Sequence, residues 1–308
     1  MSTDRPAVAR RRVRMALRSA REAKQLTQGQ VADAMDWSLS KVMRIEKGDV
    51  NISPADLRVL LNHLGIDEPA EVKRLMDDAR ISRKARWTAD PLERMHLPDA
   101  LIQLMEFEQE ATVIRHYASV IVPGLLQTPS YAEAVLTNFD LDEQTVAARK
   151  NARLRRREQV LGRPDSPKDL LILDESVLLR QVGGPTVMAE QLEFIVSLME
   201  EKSSVEVRVV PFAGESAIAL LGPFTLVDLG GDNNAVLYRE SLLKDEIVDT
   251  PSDIRRHREL FERLWKRALK GKPCIDLIKS QAARMNADAD DAGMNKPRPA
   301  RTRTSQDL

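Results

Sequence analysis

The sequence predicts an α+β chain, with an all-α N-terminal domain of five helices followed by a mixed α+β domain. Three observations predict it. Apolar residues recur at helical spacing from Val13 to Ala79. The period is lost between Ser82 and Pro98, around Trp87 and Pro91. Short β-rich runs bounded by Gly, Pro and Asn then begin after Asp169. These observations divide the chain into an N-terminal domain (1–85), a linker (86–97), an α+β domain (98–283) and a disordered tail (284–308).

The first helix is read over Arg11 to Lys24. Val13, Ala16, Leu17 and Ala20 share one face, and Arg10, Arg14, Arg18 and Arg21 form a basic flank suited to phosphates. Thr27 is a good N-cap for a second helix carrying Val31, Ala32 and Met35 on one stripe. Asp36 and Trp37 make a tight turn, and Ser38 caps a third helix that buries Val42 and Ile45. Ser53-Pro54 opens a fourth helix with Leu57, Leu60, Leu61 and Leu64, ending at Gly65. A fifth runs from Glu68 to about Arg83 on Val72, Leu75, Met76 and Ala79.

The spacing of the second and third helices lets the third enter a DNA major groove. Leu39, Ser40, Lys41 and Arg44 then point outward, with Ser38 at the cap and Gln28 at the start of the preceding helix. Those six residues are the candidate DNA contacts. The phrases Leu26-Thr27-Gln28 and Arg44-Ile45-Glu46-Lys47-Gly48, together with the apolar pattern between them, resemble the Xre-like, phage-repressor-type helix-turn-helix family. One departure is Asp36, where that family usually has glycine. Aspartate enters left-handed backbone angles more readily than most residues, so the turn survives at modest cost.

In the second domain, a helix carries Leu101, Leu104, Met105, Glu108 and Ala111 on one face, and Val120 to Gly124 breaks it. Pro129 to Leu136 resumes helical spacing. Asp142 to Leu161 is a further helix, heavily basic from Arg149 to Arg157, read as a solvated or ion-paired surface with DNA contact as the alternative. Leu170–Leu173, Val205–Val210, Phe224–Leu229 and Ala235–Tyr238 read as strands. Helices follow Gly183-Gly184-Pro185 and span Ser252 to Leu269. From Ala287 no apolar period remains, and disorder is expected.

Composition sets outer bounds. Of 308 residues, 43% are apolar, 31% charged and 4% aromatic, which is charge-rich globular composition without the rings of a single-strand stacking platform. Formal net charge is zero, yet residues 1–50 hold 11 Lys and Arg against 6 Asp and Glu, an excess of five positive charges. A single cysteine, Cys274, excludes an internal disulfide framework, and no apolar run approaches bilayer length, so a cytoplasmic protein without membrane contact is expected. The four histidines are dispersed and form no metal-ligand spacing. Neither Gly183-Gly184 nor Gly230-Gly231 has the spacing of a phosphate loop or dinucleotide fingerprint. Asp174-Glu175 reads either as a carboxylate pair for catalysis or as a helix cap in register with the helix dipole. No catalytic, cofactor or metal residue is assigned, and an enzyme is not expected.

Three further phrases carry a second resemblance: Val122-Pro123-Gly124-Leu125-Leu126-Gln127-Thr128-Pro129-Ser130-Tyr131-Ala132, Leu173-Asp174-Glu175-Ser176-Val177-Leu178, and Val209-Val210-Pro211-Phe212 before Gly222-Pro223-Phe224-Thr225. Following an Xre-like domain in this order, they resemble a large actinobacterial regulator family that includes the WhiJ-like developmental regulators, over about residues 10–280. The resemblance implies a transcription regulator, often joined by a small partner protein in an antitoxin-like arrangement, with a C-terminal domain of unsettled activity. The expected partners are therefore double-stranded DNA, a small protein and a second copy in a homodimer. Two alternatives stand beside this: a ligand-sensing regulator, and a protein-binding module for which DNA is secondary.

Overall fold

A computed structural model describes residues 5–83, 95–139, 141–213, 222–231, 234–240, 245–291 and 293. Most of the expected linker, with Trp87 and Pro91, and the tail from residue 294 lie outside these. Helices α1 (Pro6–Ala23), α2 (Gln28–Ala34), α3 (Leu39–Lys47), α4 (Pro54–His63) and α5 (Pro69–Ile81) form the N-terminal region, followed by a mixed α+β region. That region contains α6 (Asp99–Gln109), β1 (Val113–Ala118), a 3-10 turn (Gly124–Leu126), α7 (Pro129–Leu136) and α8 (Glu143–Leu161). It continues through β2 (Lys168–Asp174), α9 (Glu175–Leu179), α10 (Pro185–Glu201), β3 (Val205–Val210), β4 (Phe224–Asp228), β5 (Ala235–Arg239), β6 (Glu246–Val248), α11 (Pro251–Arg267) and α12 (Lys272–Asp291). The strands form a mixed sheet in the order β3-β2-β1-β4-β5-β6. The β2–β3 pair is parallel, with Asp169 opposite Val205, and the β5–β6 pair is antiparallel, with Leu237 opposite Val248.

Contact density divides the chain into two compact units, Met1–Ile114 with Leu226–Ile254, and Arg115–Thr225 with Arg255–Leu308. In the first, Val13, Leu17, Val31, Val42, Ile45, Leu57, Leu61 and Leu75 close one apolar core around α1 to α5. The caps that the sequence predicts are formed. Thr27 and Gln30 make a reciprocal capping box on α2, Ser38 accepts from the Lys41 amide, and Ser53 accepts from the Asp56 amide. Helix α1 begins at Pro6, five residues before the periodicity suggests. The Glu110 carboxylate accepts hydrogen bonds from the Ala7 and Val8 amides, capping the helix from a residue about a hundred positions away. Burial pushes that carboxyl above its ordinary range despite both bonds.

In the second unit, α10 starts after Gly183 and Gly184, both at positive φ. A Cβ at Gly183 would come within 2.6 Å of Ala134 Cβ, so only glycine fits this turn. Strand β1 and helix α12 were not visible as periodic patterns. In β1 the buried polar His116 interrupts the apolar signal. Helical order in α12 continues through Asp291, past residue 284, because Met285 and Ala289 are buried and Asn286 bonds Glu193 on α10. No helix among the described residues is long and apolar enough to cross a membrane.

Candidate nucleic-acid interface

The interface is built on two helices and the turn between them. Asp36 takes φ +53°, the left-handed geometry expected of it in the turn, and the Trp37 amide bonds back to the Ala32 carbonyl to close the turn. Gln25, before α2, is also left-handed at φ +56°, a strained position the sequence did not disclose. Helix α3 ends at Gly48, φ +88°, whose amide and that of Asp49 bond the Arg44 carbonyl. This is the physical reason for the glycine closing the phrase Arg44 to Gly48.

The buried side of α3 is fixed by Val42 and Ile45 in the core. Its opposite side presents Leu39, Ser40, Met43 and Arg44, with both apolar side chains 49% exposed. Arg44 has neither hydrogen bond nor ion pair among the described residues. Its guanidinium is therefore an unneutralised cation beside two apolar groups. Met43 was absent from the predicted contacts, although it lies one turn from Leu39 and on the same face.

The other predicted contacts are engaged within the protein. Lys41 Nζ lies 3.1 Å from Asp56 and 3.8 Å above the Trp37 ring. Ser38 spends its hydroxyl on the α3 cap. The Gln28 amide donates to Glu46 at 2.8 Å, and Arg21 holds the same carboxylate with two bonds of 2.6 and 3.0 Å. These bonds raise Arg21 above the ordinary arginine range. The three side chains tie α1, the start of α2 and the last turn of α3 together.

The expectation that the basic flank of α1 faces phosphates is corrected for Arg10 and Arg14, and their buried neighbour Arg11 is held in the same way. Arg11 Nε lies 2.8 Å from one Asp249 oxygen and Arg14 Nη2 2.5 Å from the other, with all three side chains under 10% exposed. Arg11 also donates to Asn234 and to the Ala235 carbonyl. Arg10 pairs with Glu106 and donates to Asn51, and the neighbouring Arg12 pairs with Asp78. Buried cations at this density require carboxylates, and burial lowers Arg14 below its ordinary range even so.

Polar groups of the second unit are also absorbed by structure. Asp174 caps α9 through the Ser176 amide, and Glu175 accepts from the Phe212 amide at 2.6 Å. Buried His116 bonds Thr225 Oγ1 at 2.9 Å and lies 3.5 Å from buried Asp169, a trio the dispersed histidines gave no sign of. On α8, Arg156 is buried, while Arg157 stacks over Phe194 and donates to the Gln127 carbonyl. Burial pushes the Cys274 thiol up to about 11.

Comparison with protein families assigns both regions. Residues 13–75 match a helix-turn-helix domain, which makes this region a DNA-binding domain of that class. Residues 101–280, more than half of the chain, match the domain of unknown function DUF5753. The chain belongs to this family. The carboxylates that neutralise Arg10, Arg11 and Arg14 therefore lie in the part of the chain that matches DUF5753. Searches of curated proteins and of solved structures returned no match.

Proposed function

We propose that this protein is a sequence-specific transcription regulator that places α3 in the DNA major groove. The observation that carries the reading is the helix-turn-helix match over residues 13–75 combined with an outward α3 face whose one arginine is unpaired among the described residues. Leu39, Ser40 and Arg44 read base edges, and Gln28, Ser38 and Lys41 lie where a phosphate backbone passes. The region 98–283 works without catalysis of its own, as a contact for a second copy or for a small partner protein. Support comes from the short reach of one helix-turn-helix, which pairs two half-sites about one DNA turn, ~34 Å, apart. The resemblance to WhiJ-like actinobacterial regulators and the antitoxin-like pairing belong to the same proposal. A cytoplasmic location accords with the single cysteine and the lack of a spanning helix among the described residues.

Binding of the full chain to a duplex enriched from random DNA, and to unselected duplex, across a salt series tests this. Affinity for the enriched duplex should exceed that for unselected duplex by ~10³-fold or more at physiological salt. Equal affinity for both would overturn sequence-specific regulation. Sedimentation of the same complexes should show two chains per duplex, and one chain per duplex would leave the second region to a partner protein.

A further inference from the structure

We infer that Met43 is a specificity-determining residue and that Leu39 and Met43 together select a half-site bearing two thymine methyl groups. This deepens the reading of α3 as the DNA-facing helix and rests on it. Leu39 and Met43 are four residues apart, both half-exposed, and flanked on the same face by Ser40 and by Arg44, which is unpaired among the described residues. Of the other two cations of the helix, Lys41 is held by Asp56 and Trp37, and Lys47 pairs with Asp49 at 3.1 Å. The first two turns of the face offered to a groove are thus apolar along Leu39 and Met43, with Arg44 beside them as the cation that has no carboxylate partner among the described residues.

The chemistry of base edges then narrows the ligand. In the major groove the thymine C5 methyl is the apolar group, whereas guanine, adenine and cytosine present donors and acceptors. Seating Leu39 or Met43 against those polar edges would remove them from water with no hydrogen bond in return. Against a methyl group the same side chains gain contact. Four residues of helix span about 6 Å, and stacked base pairs rise ~3.4 Å. The two methyls therefore lie within about two base-pair steps of one another, with a guanine within reach of Arg44.

The test uses the full chain and the duplex it enriches from a random pool, with each thymine replaced in turn by deoxyuridine, which removes only the methyl. Loss of a contacted methyl should weaken wild-type binding about fourfold, the factor equivalent to ~0.8 kcal/mol. Two such positions should appear. Met43→Ala should abolish sensitivity at one and Leu39→Ala at the other, with melting curves unchanged because both side chains lie outside the core. An enriched duplex that tolerates every uracil, or variants that keep full uracil sensitivity, would overturn the inference and leave DNA recognition by α3 standing. Failure to enrich any duplex would instead remove the reading of α3 on which the inference rests.

Discussion

Helices α1 and α3 lie in the same basic, apolar-striped stretch of sequence, yet the structure treats their charges in opposite ways. Arg10, Arg11 and Arg14 of α1 are buried against Glu106 and Asp249, and the exposed Arg12 is paired with Asp78, whereas Arg44 on α3 stands exposed and unpaired among the described residues. The excess of positive charge in residues 1–50 is largely consumed inside the protein. Local net charge therefore does not locate a DNA face. What locates it is which cations have been given carboxylates by the fold, because a neutralised guanidinium has little left to offer a phosphate.

The largest effect that would break this comparison concerns Asp249. Asp249→Ala leaves Arg11 and Arg14 buried with no shared counter-charge, and should lower stability by ~3–5 kcal/mol in urea unfolding followed by circular dichroism. A loss below ~1 kcal/mol would mean that the α1 arginines reach water in solution and remain available to DNA.

Arg44→Ala probes the other side. It should cost ~1–3 kcal/mol on the preferred duplex and little on random DNA, with no change in unfolding midpoint. Equal losses on both DNAs in fluorescence anisotropy titrations would make Arg44 a phosphate contact.

A smaller effect tests the turn that sets α3 against α2. Asp36→Gly should raise stability by up to ~1 kcal/mol, since glycine adopts φ +53° without the steric cost borne by aspartate. A destabilised variant would show that the carboxylate itself supports the turn.

The smallest is expected at Lys41, which lies between the two cases: paired, yet still 39% exposed. Lys41→Ala should change stability by less than ~1 kcal/mol, as exposed pairs do. It should weaken binding to preferred and random DNA by the same factor, and unequal factors would assign Lys41 to base reading.

Local chemistry made much of this region legible. The caps at Thr27, Ser38 and Ser53, the left-handed Asp36, the terminating Gly48 and the buried stripe of α3 all follow from residues within a few positions of one another. Met43 was equally legible, since one turn of helix from Leu39 places it on the exposed face. The partners of Arg10, Arg11 and Arg12 were not, because they lie 96, 238 and 66 residues away in sequence. The same holds for the Glu110 cap on α1, for Gln28 bound to Glu46, and for His116 beside Asp169 and Thr225.

By itself, then, the sequence determined the helix-turn-helix, its capping and turn geometry, and most of the described helices and four of the six described strands behind it, because hydrophobic period and backbone preference act over one or two turns of chain. Tertiary structure alone decided which charges are spent and which are left. An arginine is solvated, paired or free according to what the folded chain brings within about 4 Å of it, and the cost of burying a charge without a partner makes that choice binding.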